Sequence, residues 1–443
     1  MTIRAALLAP LAAAAAVAGT AALAEVPAPR TLPLPEALRE LDAQSLTLAQ
    51  ARARAAEAEG LTRQALSAAL PTLTAAGGYT RNSDAARANI GSIIARLPPT
   101  GIPAPPDLVI QPLEVWSVSG TLRVPLLAPS AWADVAVARS AERAAGASAE
   151  TVRLQARAAL VQAAWSAAAG EEIVLASERA VASADEQARL AERAVAAGTG
   201  VPLSVLQART EAVKRRSDLA RSRADLGRAQ LAVGVLLGRA EPLRIPLELA
   251  QPPTSLDVPA LVEEARGRRP EVRATSAQVE AAERQLTSAR LRLLPQISTS
   301  ATALAQDVPL PTSKREAWRL TVDLTWALYD GGFRYGRARQ AEAAVAGARA
   351  AAEAQRLEVE QQVADASRDV AVAAERLRLA EDQAKLAAEA AATARRGFAA
   401  GISSSLDVLD ANDRLFQSEV GLADARARLG IAMVGLDRAA GRS

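Results

Sequence analysis

From Trp318 onward the chain alternates between two kinds of side chain: Trp318, Leu320, Val322, Leu324, Trp326 and Leu328 at even positions, and Arg319, Thr321, Asp323, Thr325, Ala327 and Tyr329 at odd ones. A strand turns successive side chains to opposite faces, so this period of two predicts a strand with one apolar and one polar face. The pattern occurs earlier too, with Trp116, Val118, Leu122, Val124 and Leu126 on one face and Ser117, Ser119, Thr121 and Arg123 on the other. Strands are therefore expected near 115–126 and 318–329, close to the length that a tilted strand needs to cross a membrane. Weaker alternation in segments rich in Thr, Ser, Ala and Gly precedes each of them, near 72–81 and 296–306, so each region supplies a hairpin.

After each second strand the period of two ends, and a stretch follows that lacks Pro and almost lacks Gly, over 131–197 and again over 334–400. A helix of that length would run to about 100 Å, far beyond an ordinary globular helix. Helices expected over 203–237 and 406–439 return along these rods at half their length. A shorter helix over 271–293 would stack end to end with a return helix. Between the short elements lies Glu241–Asp257, with Pro242, Pro246, Pro252 and Pro253, which reads as an irregular belt around the middle of the rod.

The two regions are copies of one unit. Leu70-Pro71-Thr72-Leu73 recurs as Leu294-Pro295-Gln296-Ile297, an offset of 224, while Trp116 maps to Trp318 at 202. Ala196-Ala197-Gly198 followed by Leu203-Ser204-Val205-Leu206 maps to Ala399-Ala400-Gly401 followed by Leu406-Asp407-Val408-Leu409, at 203. The jump from 224 to 202 falls where the first copy carries a Pro-rich insertion, 97–106, which reads as an exposed loop. The organisation expected is a signal peptide over 1–24, an N-terminal segment over 25–45, a first repeat over 46–240, an equatorial linker over 241–258 and a second repeat over 259–443.

Composition narrows the function. Met1-Thr-Ile-Arg4, the Ala/Leu/Val run that follows and the small-x-small triplet Ala22-Leu23-Ala24 form a secretory signal. Cysteine is absent, which excludes disulfides and a lipid-bearing cysteine, and histidine is absent as well. Ordinary zinc or copper sites and Ser-His-Asp or Cys-His catalytic pairs cannot then be built, so neither an enzyme nor a cofactor or metal is expected. Fifty-two basic residues against 49 acidic ones leave the chain nearly neutral, and no basic, aromatic-interleaved patch suggests nucleic acid. Eight of the 11 aromatics lie in or beside the strands: Tyr79, Trp116, Trp132, Trp318, Trp326, Tyr329, Phe333 and Tyr335. That clustering matches the aromatic girdle of a membrane interface, while a soluble half-buried sheet is the other reading of the same alternation. Four strands cannot close a membrane barrel and open edges are not tolerated in lipid, so the chain must oligomerise, two copies giving eight strands and three giving twelve.

With its signal peptide, duplicated hairpin-plus-long-helix unit and the run Gly401-Ile-Ser-Ser-Ser-Leu406-Asp407-Val408-Leu409-Asp410-Ala411, echoed by Gly198-Thr-Gly200-Val-Pro202-Leu203-Ser204-Val205-Leu206-Gln207-Ala208, the chain resembles the TolC-like outer-membrane efflux family. The resemblance covers nearly the whole chain. It implies a mostly α-helical fold with a membrane β-barrel portion, a homotrimer with a shared 12-stranded barrel and an α-helical barrel reaching into the periplasm. It also implies a periplasmic adaptor protein and an inner-membrane pump as partners, and outer-membrane lipid around the strands. The chain would be the passive exit duct for small molecules or secreted proteins.

By the same resemblance Asp407 and Asp410 fall where paired carboxylates ring the narrow entrance, with Ser204 and Phe398 as departures at that gate. The turn residues Gly198, Gly200, Pro202, Leu203, Gly401, Ser403 and Leu406 would meet the adaptor, and Tyr79, Trp116, Trp318, Trp326 and Tyr329 would mark the membrane interfaces. Read from the residues alone, Ser404-x-x-Asp407 fits a capping box, Gly198 and Gly401 suit left-handed helix ends and Pro202 suits a first helical turn. Competing readings are an Ala-rich periplasmic coiled-coil protein without a channel and the adaptor itself, which would carry one helical hairpin rather than two.

Overall fold

The computed structural model describes residues 29–88, 108–248, 251, 255–309 and 314–442. The expected signal peptide and the Pro-rich insertion lie outside the described residues, as do Pro252 and Pro253 of the linker. The described chain runs β1 (Arg30–Thr31), α1 (Leu34–Gln44), α2 (Leu46–Ser67), β2 (Thr72–Arg81), β3 (Ala86–Ala88), β4 (Leu108–Gln111), β5 (Glu114–Leu127), α3 (Pro129–Ala196), α4 (Pro202–Leu236) and β6 (Leu243–Arg244). It continues as α5 (Val258–Arg268), α6 (Pro270–Leu291), β7 (Gln296–Gln306), β8 (Glu316–Thr325), α7 (Phe333–Ala399) and α8 (Ser405–Ala439).

The fold is mostly helical and contains the unit twice. α1 and α2 have 11 and 22 residues, and so do α5 and α6, both pairs 224 positions apart like the two Leu-Pro motifs. The first unit therefore starts at α1, and the segment 25–45 belongs largely to it; the expected boundary at 46 cut the repeat between its first two helices. Only the long helices reveal themselves by uninterrupted length. α1 and α2 are short and the second is rich in exposed Ala, Arg and Glu, so periodicity alone is weak there.

One four-stranded antiparallel sheet, ordered β2-β5-β7-β8, joins the two hairpins through β5 and β7. Tyr79 faces Trp116, Leu73 faces Leu122 and Thr121 faces Thr302, so each face keeps one character across the strands. The Thr121 and Thr302 hydroxyls lie 3.1 Å apart on the polar face. Pro125, which has no N–H for the ladder, sits where the β5–β7 register shifts, the kind of irregularity at which a central strand tolerates proline. β8 ends at Thr325 rather than near 329: Thr325 already pairs with Gln296, the first residue of β7, and beyond it no strand remains to pair with. Trp326, Leu328 and Tyr329 thus lie past the strand, before a turn at Gly331 and Gly332 with φ of 68° and 86°.

α3 starts with Pro129 at its first turn and α7 follows the left-handed Gly332. α3 packs against α2, α4, α6 and α8, and α7 packs against α5, α6 and α8. Large apolar side chains concentrate at mid-height. In the first unit Leu41, Leu160, Val233, Leu237 and Leu243 are buried together, and in the second Val359, Val363, Val370, Leu429 and Leu436. Here the linker closes back on the chain, β6 pairing in parallel with β1. Toward the far turns the seam thins to Ala188, Ala191 and Ala208, small residues that let long helices approach closely. Among the described residues no helix is long and apolar enough to cross a membrane.

Candidate functional site

The two helix-to-helix turns lie together at the end of the rods remote from the sheet. Each long helix ends in the same hydrogen-bonded device, set by a left-handed glycine. Gly198 (φ 79°) donates to Val195 O at 3.0 Å while Thr199 donates to Ala194 O at 3.0 Å; Gly401 (φ 73°) donates to Phe398 O at 3.0 Å while Ile402 donates to Gly397 O at 2.8 Å. A Cβ at Gly200 would lie 2.8 Å from Val195 N, too close for any side chain. The second turn has Ser403 at that position and compensates on the helix, where Gly397 replaces Ala194 and leaves room for the serine side chain. The two turns thus share one backbone path with the bulk moved from helix to loop.

The return helices begin differently. α4 starts with Pro202 after an extended Val201, with no side-chain cap, and Ser204 Oγ donates to Val201 O at 2.7 Å. α8 starts with a complete capping box: Asp407 N–H donates to Ser404 Oγ at 3.2 Å, while Asp407 Oδ2 accepts from Ser404 N–H and Oγ, both at 2.8 Å. The Ser404 hydroxyl first, and its backbone N–H second, hold the Asp407 carboxyl below the ordinary aspartate range. Asp410, one turn on, lies 2.9 Å from Arg414. Both carboxylates are therefore anchored on one helix, and the difference between Ser204 and Asp407 reflects two ways of starting a helix. Because the Asp407 pKa is depressed by folding, its contribution is present at neutral pH and lost as pH falls through the lowered value. Ser404→Ala is expected to cost about 1 kcal/mol of local stability at neutral pH and less in acid, where the bond from the Ser404 hydroxyl to the carboxylate weakens while the one it accepts from Asp407 N–H persists, read as hydrogen-exchange protection of amides 405–408. Equal protection in both proteins at neutral pH would show that the box does not hold the helix start.

Ile402, Leu203, Leu406 and Val201 are exposed around the turns, Ile402 at 84%, and Phe398 is half-buried in the last turn of α7. Above them the two units are tied together. Gln187 Nε2 donates to Ser405 Oγ at 3.3 Å, and Arg395 donates to Ser183 Oγ at 3.0 Å and Asn412 Oδ1 at 2.7 Å. Arg215 of α4, only 4% exposed, forms an ion pair with Asp413 of α8 and lies 4.7 Å over the Phe416 ring. Glu211 Oε1 stands 2.7 Å from the same guanidinium, off its N–H directions. Ser183, Arg395, Asn412, Glu211, Arg215 and Phe416 border a cavity of about 350 Å³ between the helices. Arg414 was legible as an i, i+4 partner of Asp410, whereas no local signal marks Arg215, whose partner is 198 positions away.

Tyr79, Trp116, Trp318, Trp326 and Tyr329 sit at the opposite end of the molecule. Tyr79 and Trp116 stack with centroids 4.8 Å apart, and with Trp318 they occupy the ends of β2, β5 and β8 remote from the helices. Trp326 and Tyr329 lie on the helix side of the sheet, and the Trp326 indole N–H donates to Leu293 O at 3.1 Å. Trp318 and Trp326 are eight residues apart, at most about 27 Å along an extended chain, comparable to the ~25 Å apolar band of a membrane barrel. Between them Leu320, Val322 and Leu324 are exposed on one face.

A sequence model of the family described as "Outer membrane efflux protein" matches residues 37–239 and 261–442. No curated protein sequence matches the chain significantly. Among solved structures the chain is similar to the outer membrane protein VceC of Vibrio cholerae, at 22% identity over 93% of this chain and 96% of that one, with a TM-score of 0.76. It is likewise similar to the outer-membrane channel OprN, at 22% identity over 93% and 90% with a TM-score of 0.76. The MtrE outer membrane channel of Neisseria gonorrhoeae, solved in its open state, aligns at 18% identity over 92% and 89%, again with a TM-score of 0.76.

Proposed function

The chain belongs to the outer membrane efflux protein family and is an outer-membrane efflux channel that extends into the periplasm, and from that premise we propose how its residues divide the work. Three copies close one barrel of twelve strands, and their long helices continue it as a conduit. The observation that carries this is the open sheet: β2 and β8 have free edges, and the face bearing Trp318, Leu320, Val322 and Leu324 is exposed in the single chain. In lipid the free edges cost several kcal/mol per unpaired backbone group, and closing β8 of one copy on β2 of the next removes them while the apolar face stays turned to the lipid. The aromatic pairs at either end of the apolar band anchor it at the two interfaces. Delivery of the chain by a cleaved signal peptide, with no lipid on cysteine, completes the placement.

At the far end, the exposed Leu203, Leu406 and Ile402 beside the two glycine turns form the surface for a periplasmic adaptor, which couples the conduit to an inner-membrane pump exporting small molecules or proteins. Asp407 and Asp410 serve two ends at once. One carboxylate oxygen of Asp407 is used in the capping box and Asp410 is paired with Arg414, and three copies of both residues would bring six carboxylates to the entrance, favouring cations. The purified protein is expected to run as a heat-modifiable trimer and to form cation-preferring channels in planar bilayers. Asp407→Ala with Asp410→Ala should reduce that preference and the block by divalent cations. Channels with unchanged selectivity would confine both aspartates to holding the helix, and a monomer without conductance would remove the conduit reading.

A further inference from the structure

A cleft of about 830 Å³ opens on the polar face of the sheet where its strands meet the helix ends. Its charged lining is Arg123 of β5, Arg292 beside the end of α6, Arg334 and Arg337 in the first turns of α7, and the two carboxylates Asp134 and Asp330. Both carboxylates are already taken. Asp134 accepts from Arg292 at 2.9 Å and from the Ser288 hydroxyl at 2.5 Å. Asp330 accepts from Arg334 Nε at 2.6 Å and from the backbone N–H groups of Gly332 and Arg334, each at 3.2 Å. Arg123 and Arg337 are exposed and, among the described residues, have no carboxylate within ion-pair distance. Arg123 stands in register with Thr72 on one side and Ser300 on the other, and Thr72, Ser298 and Thr325 add hydroxyls to the same wall. Four cations against two occupied anions leave a surplus of two positive charges per chain. Guanidinium forks present paired N–H donors suited to planar or tetrahedral oxyanions.

We propose that this cleft binds soluble anions bearing carboxylate, sulfonate or phosphate groups, with Arg123 and Arg337 as the recognising residues. Its position on the conduit wall rests on the trimeric reading above, in which the polar face of the sheet lines the lumen. Three clefts then form a cationic belt at the base of the barrel, opposite in sign to the carboxylates at the entrance. An anionic cargo that has passed the tip would meet a favourable field before the barrel.

The full-length protein in neutral detergent, titrated with pyrenetetrasulfonate and followed by fluorescence anisotropy, tests this. Saturable binding is expected, weakened about tenfold or more by Arg123→Gln with Arg337→Gln and unchanged by Asp407→Asn with Asp410→Asn. Arg123→Lys with Arg337→Lys keeps the charges but not the forks and should retain an affinity between those of the wild type and the glutamine variant, which separates recognition from misfolding. No binding, or equal affinity in the glutamine variant, would overturn the proposal. Phosphatidylglycerol added to the micelles is expected to leave the affinity unaltered; displacement by it would assign the cleft to a lipid headgroup and overturn the soluble-anion assignment. Conductance of the same preparations is read separately. A protein that binds the probe but forms no channel would support the cleft and sink the conduit.

Discussion

Replacing Arg215 with alanine is expected to loosen the two helical hairpins from each other near the tip, lowering stability by about 2–4 kcal/mol and raising single-channel conductance several-fold. Arg215 is buried between α4 and α8, paired with Asp413 and Glu211 and stacked on Phe416. Its removal leaves the two carboxylates with only the exposed Lys214 ammonium between them, 3.8 Å from Glu211 and 3.7 Å from Asp413. The loss stays below that of a fully buried pair because the Asp413 and Glu211 side chains keep 30% and 22% of their exposure. Arg215→Lys should recover part of the stability but little of the stacking, since a compact ammonium cannot reproduce the planar fork. The contact joins the first unit to the second, so its loss should act on the entrance more than on the barrel. Thermal melting of the trimer and bilayer conductance read the two effects; wild-type values for both in Arg215→Ala would mean that the tip is held elsewhere.

Gly430→Leu should be more damaging still, with a loss of about 3 kcal/mol or more and a drop in folded trimer. Gly430 lies on α8 directly under the indole of Trp165 on α3, so close that even a Cβ would enter the ring. Trp165 is itself 9% exposed, which gives it little room to withdraw. Intrinsic helix propensity predicts the reverse, since leucine in place of glycine in a helix interior gains nearly 1 kcal/mol. The sign of the effect therefore decides between packing and propensity. Trp165→Ala in the same chain should remove most of the penalty, because the space vacated by the indole accepts the new side chain. Chemical denaturation or the temperature at which the trimer dissociates on gels would measure it, and a stabilised single variant would refute the close contact.

Much of this architecture was legible along the chain because it is governed by local geometry. A period of two can be satisfied only by a pleated strand, so Trp318 through Leu324 and Trp116 through Val124 declared their faces before any partner was known. The absence of Pro over 131–197 and 334–400 left the long helices nothing to stop them until Gly198 and Gly401, whose left-handed conformation ends each rod. The box Ser404-x-x-Asp407 closes over three residues, and so could be read directly. Where an element's limit depends on a partner, the local pattern does not set it. β8 ends at Thr325 because β7 begins at Gln296, and α1 and α2 became recognisable as part of the repeat through their structural counterparts α5 and α6.

The sequence by itself determined the strand faces, the lengths of the rods, their caps and the duplication, since each follows from the conformational limits of a few neighbouring residues. Only the tertiary structure decided that Arg215 meets Asp413, that Gly430 lies under Trp165, and that Arg123 and Arg337 share a cleft whose aspartates are already occupied. Those pairings join residues about 200 positions or more apart, and they exist because two copies of one unit pack side by side. The packing of long helices and the register of a shared sheet, not any property of the local chain, set which side chains come within reach.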